Sequence, residues 1–309
     1  MQTLKIATYN IHKGFSQFNR RVVLHELRDR LRELDADIVF LQEAQGEHAH
    51  HAERHHNYPG GAQHEFIAEE VWPHFAYGKN SVYEAGHHGN AILSRFPIVQ
   101  SLNMDVSAHR FESRGLLHCE IDLAERQHVH CVCAHFGLFA KGKRAQTRNL
   151  IEYVRNNIPP DAPLIIAGDF NDWRNLMSRE MSGELGMHDV FHLHGGRLAR
   201  SYPAGLPLLR LDRIYVRGFS VRHCDVHTGG AWQRLSDHAA LSAQLNPDYL
   251  SGADRAASTS SGQALAQPLR PTQDVHAGLK PDLQSIDLVG AAPVNGQSGL
   301  KRHGTHEPA

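Results

Sequence analysis

The chain has 309 residues, enough for one large domain or two small ones. Its 32 basic and 33 acidic side chains give a net charge of −1, so no basic excess draws it onto nucleic acid and no acidic excess repels it from polyanions. No stretch approaches about 18 consecutive apolar residues, and the start MQTLKIATYN lacks the apolar core of a signal peptide. We therefore predict a cytoplasmic protein with no transmembrane segment and no evident stable protein partner.

Apolar runs of strand length alternate with a smaller number of helix-like segments along the chain. In chain order, strands are predicted over residues 4–10, 37–43, 90–95, 115–123, 128–136, 163–170, 211–218, 219–226 and 238–245. Helices are predicted over 20–34, where apolar residues recur at near-helical spacing, and over 141–158. The strands are too many and too unevenly interrupted for a barrel of eight βα units. Two packed mixed sheets with helices outside, an α+β fold, are predicted instead.

Histidine and cysteine are distributed in ways that call for interpretation. Six of the 25 histidines lie between His48 and His64, which predicts either a solvated loop or a substrate-side loop that becomes cationic near about pH 6. Their irregular spacing disfavours a metal site. The four cysteines are interpreted as reduced thiols in the core of a cytoplasmic protein; they are Cys119, Cys131, Cys133 and Cys224.

The composition changes sharply after Tyr249. Residues 251–309 contain no Phe, Trp or Tyr and are dominated by Ser, Gly, Ala, Pro and Gln. Such a segment buries too little apolar surface to offset the entropy lost on ordering. We predict a folded domain over residues 1–248 and a disordered polar tail over 249–309.

Polar side chains stand at the ends of several predicted strands. The stretch LIIAGDFNDW (164–173) is apolar up to Ala167 and then delivers Asp169, Asn171 and Asp172 within four positions. Other strands begin or end on polar residues of similar kinds, namely Asn10, Glu43, His135 and the pair Asp237–His238. A strand is a rigid mount, so these groups are aimed at a sheet edge. Carboxylates bind Mg²⁺ or Mn²⁺, amides orient phosphate or water, and imidazoles move protons.

Seven motifs in this order resemble those of the endonuclease/exonuclease/phosphatase superfamily. They are TYNIH (8–12), LQE (41–43), GNAILSR (89–95), CAHFGL (133–138), GDFND (168–172), LDRIYV (211–216) and LSDHAAL (235–241). The resemblance covers nearly all of residues 3–245. It implies a four-layer α/β/β/α sandwich, like that of deoxyribonuclease I, with the active site at one edge of the sheets.

The resemblance also implies roles for individual residues. Metal-binding roles for Mg²⁺ or Mn²⁺ fall on Glu43, Asn10 and Asp237. Three catalytic roles concern the water and the phosphoryl group: Asp169 orients or deprotonates the attacking water, Asn171 holds that water or a phosphoryl oxygen, and His238 donates to a phosphoryl oxygen. Two further catalytic roles are implied: Asp212 orients His238, and His135 contacts the phosphate or assists the leaving group. Asn90 is implied as a substrate contact, and the position of Glu84 suggests that it orients His135.

Three functions remain open at this point. The first is a metal-dependent phosphodiesterase or phosphomonoesterase with a small or lipid-derived substrate, and the second is a nuclease acting on DNA or RNA. The third is a non-catalytic scaffold, which is disfavoured because every expected catalytic residue type is present. His135 argues against an abasic-site repair enzyme, since that branch typically lacks this histidine.

Basic residues near the predicted site bear on the choice of substrate. Lys141, Lys143, Arg144 and Arg148 begin the second predicted helix. They form either a solvated helix face or a phosphate-tracking patch, which Arg110 and Arg114 would join as substrate contacts. The sequence shows no obvious hydrophobic loop for membrane docking, although FGLFA (136–140) could touch lipid.

Overall fold

The computed structural model describes residues 3–17, 21–48, 58–83, 86–108, 112–123 and 127–248. The predicted tail, Glu84, Arg110 and most of the histidine-rich segment lie outside these residues. The strands are β1 (Leu4–Asn10), β2 (Ile38–His48), β3 (His74–Tyr83), β4 (Gly86–Ser94), β5 (Ile98–Asp105), β6 (Gly115–Asp122), β7 (His128–His135), β8 (Leu164–Asp169), β9 (His188–Asp189), β10 (Asp212–Arg217), β11 (Phe219–His227) and β12 (Ala240–Pro247). The helices are α1 (Leu24–Glu33), α2 (Gln63–Ala68), α3 (Ala140–Asn157), α4 (Met177–Leu185) and α5 (Val190–Gly195).

The described strands form two six-stranded sheets. The first sheet has the order β11-β12-β1-β2-β4-β3, and the second has the order β5-β6-β7-β8-β10-β9. Both sheets are mixed, because β1 pairs with β2 and β7 with β8 in parallel, while the other pairs are antiparallel. Aliphatic side chains from the inner faces of both sheets form one shared cluster between them.

Helices cover the outer face of each sheet. Leu24, Leu27 and Leu31 recur on one side of α1 and are buried with outward-facing residues of the first sheet. Leu150 and Val154 of α3, with residues of α4, do the same for the second sheet. The two packed sheets with helices outside give the predicted α+β, four-layer α/β/β/α sandwich, which is confirmed.

Three of the described strands and three helices are absent from the sequence prediction. Strand β5 lies at an edge of its sheet and is half exposed, so its sequence IVQSLNMD lacks a continuous apolar run. Strand β3 is also an edge strand, and β9 has two residues. The helices α2 and α5 have six residues each, too short to show a helical period.

Two sequence interpretations receive clear outcomes. All four cysteines are free, and Cys119, Cys131 and Cys133 are fully buried, so the interpretation as reduced core thiols is confirmed for these three. The solvated-loop interpretation is wrong for His64, which is buried in α2 with its ring stacked on Tyr77 at 4.4 Å.

Strand register brings the polar strand ends together. His135, the last residue of β7, pairs with Asp169, the last residue of β8, and Asp169 pairs with Asp212, the first residue of β10. Asn10 ends β1 beside Gln42 of β2. These positions therefore lie at one edge of the sandwich, where three neighbouring strands of the second sheet meet β1 and β2 of the first.

Candidate active site

Asn10 joins the two sheets at this edge. Its Nδ2 donates to Glu43 Oε1 at 3.4 Å on its own sheet and to Asp169 Oδ2 at 3.2 Å on the other. Glu43 has a φ of 56°, at the point where the pairing of β2 with β4 shifts register between Leu41 and Ala44. A bulge of this kind redirects a side chain, here toward the site.

Asp169 is delivered by a tight approach of two strands. Gly168 has a φ of +150°, and a Cβ there would lie 1.9 Å from the carbonyl oxygen of Ala134 in β7. Only glycine allows this contact, which places the end of β8 against the end of β7. The Asp169 carboxylate then accepts a hydrogen bond from the backbone N–H of Asn171 at 2.9 Å.

The remaining polar residues after β8 organise the loop. Asn171 donates from Nδ2 to the carbonyl oxygen of Phe136 at 2.9 Å, which ties this loop to the one after β7. Asp172 accepts from the backbone N–H groups of Leu176 and Met177 at the start of α4. Of the two carboxylates after β8, Asp169 therefore belongs to the site, and Asp172 anchors the loop to the start of α4.

His238 is held in its cationic form by carboxylates. Its Nδ1 lies 2.8 Å from Asp212 Oδ2, and its Nε2 lies 3.8 Å from Asp169 Oδ2. Burial by itself lowers the pKa of His238. The carboxylates of Asp212, Asp169 and Asp237 outweigh this effect and raise the pKa to about 10. Burial also raises the pKa of Asp169, to about 6, since His238 offsets only part of the desolvation.

His135 is in a different electrostatic setting. Its Nε2 lies 3.6 Å from Asp169 Oδ2 and 3.9 Å from Glu43 Oε1. Burial, with the Arg114 cation nearby, lowers its pKa to about 3 despite Glu43. The two site histidines thus differ, with a neutral imidazole at His135 and an imidazolium at His238.

Glu43 remains ionised in spite of its burial. Desolvation raises the pKa of Glu43, but nearby basic groups, His135 first and Lys13 next, lower it to about 2. Lys13 Nζ lies 3.7 Å from Glu43 Oε2. The side chain is 19% exposed, so one oxygen-donor group faces the open side of the site.

The other predicted site residues lie around this centre. Asp237 is half-buried beside His238 and accepts from Ser236 Oγ at 3.3 Å. Asn90 is fully buried and donates from Nδ2 to the carbonyl oxygens of Gly115 and Cys133, so it links the sheets, while its Oδ1 has no hydrogen-bond partner. Arg114 is close enough to His135 to lower its pKa. Glu84 lies outside the described residues.

Sequence reasoning missed several residues that support the site. Lys13 pairs with Glu43, and Ser236 Oγ donates to the carbonyl oxygen of Asn10 at 2.7 Å while accepting from the His238 backbone N–H. The ring of Tyr202 packs against that of His238 with centroids 5.1 Å apart. Lys143, predicted on a solvated face or phosphate patch, is instead buried and donates to the Asn171 carbonyl oxygen. Spacing along the chain gave no signal for these long-range contacts.

The donor set of the site suits a hard divalent cation. Asp169, Asp212 and His238 each offer one ligand atom, and these atoms lie within 4.8 Å of one another. A cationic His238 has no free lone pair, however, so it is a hydrogen-bond donor and not a ligand. The carboxylate of Glu43 is ionised and part-exposed, and Asn10 contacts both Glu43 and Asp169. Oxygen atoms of these three residues fit Mg²⁺ or Mn²⁺ as ligands.

A family model described as the Endonuclease/Exonuclease/phosphatase family matches residues 7–238. The chain belongs to the endonuclease/exonuclease/phosphatase family. Members of this family generally hydrolyse phosphoester bonds. No helix among the described residues of this family member is long and apolar enough to cross a membrane.

Known proteins resemble this member of the family to different degrees. The uncharacterized protein YbhP of Escherichia coli K12 is 45% identical over 245 residues, which are 79% of this chain and 96% of YbhP. The crystal structure of an endonuclease/exonuclease/phosphatase from Beutenbergia cavernae has a TM-score of 0.63 at 20% identity, over 80% of this chain and 72% of that one. D. rerio TDP2, complexed with a single-strand DNA product, has a TM-score of 0.59 at 20% identity, over 80% of this chain and all of that one.

Proposed function

We propose that this protein is a metal-dependent hydrolase that cleaves phosphodiester or phosphomonoester bonds by in-line attack of an activated water. The observation that carries the proposal is the convergence on one carboxylate oxygen, Asp169 Oδ2. Asn10 Nδ2, His135 Nε2 and His238 Nε2 lie 3.2, 3.6 and 3.8 Å from it. A phosphate group or a water among these atoms would meet an acceptor and several donors at once.

His238 would stabilise the charge that develops on the phosphoryl group. Its Nδ1–H is occupied by Asp212, so the Nε2–H is left to face Asp169 Oδ2, 3.8 Å away, and a phosphoryl oxygen bound there. A pKa raised to about 10 keeps this donor protonated at neutral pH. A fixed donor of this kind costs no reorganisation when negative charge builds up on the phosphorus oxygens.

Asp169 would accept the proton of the attacking water. Its pKa, raised to about 6, makes it a stronger base than an ordinary carboxylate and still leaves it ionised at neutral pH. The backbone N–H of Asn171 and the amide of Asn10 fix the orientation of the carboxylate. The neutral imidazole of His135, 3.6 Å from the same oxygen, would contact the phosphate as a hydrogen-bond donor, and the leaving group would take its proton from solvent water.

Glu43 and Asn10 would hold Mg²⁺ or Mn²⁺, with Asp237 as a further predicted ligand. When bound, the ion supplies Lewis-acid neutralisation of the phosphate and lowers the pKa of a water. The salt bridge from Lys13 and the hydrogen bond from Asn10 hold the Glu43 carboxylate in place before the cation arrives.

The site supports a phosphate ester as the substrate and does not distinguish one kind of phosphate ester from another. Asn171 and Arg114 remain predicted contacts for water and substrate, and Asn90 would act through its unpartnered Oδ1. A nuclease is the second candidate, favoured by the likeness to TDP2 bound to single-strand DNA product. A non-catalytic scaffold is opposed by the complete set of ionised and hydrogen-bonded groups at the site.

Hydrolysis assays test the proposal directly. The full chain is incubated with bis-p-nitrophenyl phosphate, a p-nitrophenyl monoester and supercoiled plasmid, each with Mg²⁺ or Mn²⁺. Turnover of either small ester that disappears in His238→Asn is the expected result. No turnover of any substrate with either metal contradicts the proposal, and plasmid nicking alone identifies the nuclease.

A further inference from the structure

Large apolar side chains are exposed on three loops beside the site. Seven of the twelve exposed large hydrophobic side chains among the described residues lie there. We call the six most exposed of these seven the apolar rim: Leu138, Phe139, Trp173, Leu176, Leu206 and Leu208. Phe139 is 72% exposed and Leu206 is 67% exposed. Scattered exposed apolar residues need no explanation, but a cluster of this size marks a contact surface.

The three loops leave the sandwich at the same edge as the catalytic residues. Residues 136–139 follow β7, residues 170–176 follow β8, and residues 196–211 precede β10, and those strand ends are paired in register. Hydrogen bonds join the loops, from Asn171 Nδ2 to the Phe136 carbonyl oxygen and from the Phe170 N–H to the Leu211 carbonyl oxygen at 3.0 Å. A surface that contacts the apolar rim therefore lies next to the site.

The charge of these loops and the adjoining helix starts is mainly positive. Residues 136–150, 170–179 and 195–211 contain nine Lys and Arg and one acidic residue, in a protein whose net charge is −1. That acidic residue, Asp172, is buried and accepts hydrogen bonds from backbone N–H groups at the start of α4. No carboxylate of a described residue lies within 4.0 Å of the exposed cations Lys141, Arg144, Arg174 and Arg200. Arg174 instead lies over the ring of Trp173, 4.5 Å from its centroid. The edge thus combines apolar tips with unpaired positive charge.

This combination is the one that binds anionic lipid surfaces. Apolar tips enter the boundary between headgroups and acyl chains, Trp favours that boundary, and neighbouring cations attract anionic headgroups. Four of the six side chains in the apolar rim are leucines, which have no π face on which a nucleic-acid base stacks. We propose that the apolar rim docks on an anionic phospholipid membrane and presents phosphate groups at that surface to the site, an inference that rests on the proposed function.

The sequence alone shows no obvious hydrophobic docking loop apart from FGLFA (136–140), because the exposed apolar side chains are spread over three loops. Each loop contributes only two or three exposed large apolar side chains, and the loops are separated from one another by tens of residues in the chain. The tertiary structure gathers them because β7, β8 and β10 are neighbours in one sheet.

Vesicle co-sedimentation of the full chain tests the proposal. Vesicles of phosphatidylcholine containing phosphatidylglycerol are compared with vesicles of phosphatidylcholine alone. Leu206→Ser with Leu208→Ser is expected to lower partitioning to the anionic vesicles about tenfold or more. Arg174→Glu with Arg200→Glu is expected to lower it by a similar factor at low salt, and about 1 M salt should abolish that difference. The matched control is Val99→Ser with Leu102→Ser on β5, also exposed but away from the site, and it should bind like the wild type.

Melting temperature and turnover of the soluble diester are measured for every variant, to separate a loss of docking from a loss of folding or catalysis. All variants should keep their melting temperature and their turnover of the soluble diester, because none of these residues contacts the catalytic groups. The membrane proposal is overturned if the wild type does not bind vesicles or binds neutral and anionic vesicles equally. It is also overturned if the rim variants bind like the wild type, or if the rim binds a single-stranded oligonucleotide in place of vesicles. Rim-dependent vesicle binding by a wild type that cleaves no ester confirms docking and shows the proposed function to be wrong.

Discussion

His238 Nδ1 lies 2.8 Å from Asp212 Oδ2, and both side chains are almost fully buried. The pair joins a loop before β12 of the first sheet to the start of β10 in the second. Because one ring nitrogen is occupied by a carboxylate, the tautomer, the orientation and the charge of the imidazole are set together. The other nitrogen is left to act on Asp169 or on a substrate at the centre of the site.

Asp212→Asn is expected to shift the pH dependence of activity. The active form requires an ionised Asp169, with a pKa raised to about 6, and a protonated His238, with a pKa raised to about 10. Activity should therefore rise through the first pKa and fall through the second. Removal of the Asp212 charge lowers the pKa of His238, so the basic limb of kcat/KM should move to lower pH. The control is Asp225→Asn, which removes the carboxylate of the exposed His223–Asp225 pair and should leave the profile in place.

Asp169→Asn and His238→Ala should each reduce turnover by about 10²-fold or more while the protein stays folded. The double variant should lose much less than the product of the two losses, because both groups act on one transition state. Phosphodiesterase rates measured beside circular-dichroism melts check this. If each variant lost melting temperature while turnover per folded molecule stayed intact, the two residues would have only structural roles.

Chelation by EDTA should abolish hydrolysis, and Mg²⁺ or Mn²⁺ should restore it. Glu43→Gln should weaken the apparent metal affinity more than Asp212→Asn does, because Glu43 faces the open side of the site while Asp212 is bound to His238. Activity titrated against metal concentration for the two variants gives the comparison. Undiminished activity in chelator would contradict the mechanism.

His64→Phe is expected to flatten the dependence of stability on pH. Burial lowers the pKa of His64 from 6.5 to about 3, so the fold prefers the neutral ring. This contribution is complete above about pH 6.5 and is lost as pH falls toward 3, because only the unfolded chain takes up the proton. The free energy of unfolding should fall by as much as about 1.4 kcal/mol per pH unit in that window. Urea unfolding at several pH values should show the loss in the wild type and a smaller loss in His64→Phe.

Phenylalanine is a suitable replacement because the ring of His64 packs like an aromatic core residue. It stacks on Tyr77 and meets Phe75 edge-on, and its Nδ1 has no hydrogen-bond partner. Parallel pH curves for the two proteins would show that His64 does not contribute to acid sensitivity.

Much of the sandwich could be predicted from sequence because its central strands are fully buried. Strands such as β2 and β8 contain continuous apolar runs, IVFL and LIIA, and their period and length are local properties. The edge strands β3 and β5 could not be recognised in the same way, since one face of each meets solvent and carries polar residues. Asn10, Glu43, His135, Asp169 and His238 were visible in the sequence as polar groups at strand ends, whereas Asp212 was implied only by the resemblance to the family.

The sequence by itself thus determined which strands form the core and which side chains end them. It did not determine that His135 is neutral while His238 is cationic, since this difference depends on carboxylates that reach His238 from other strands. Nor did it determine that Lys143 is buried, or that exposed leucines from three loops meet beside the site. Only the tertiary structure decided these features, because charge state and exposure depend on distances between residues far apart in the chain, and strand register sets those distances.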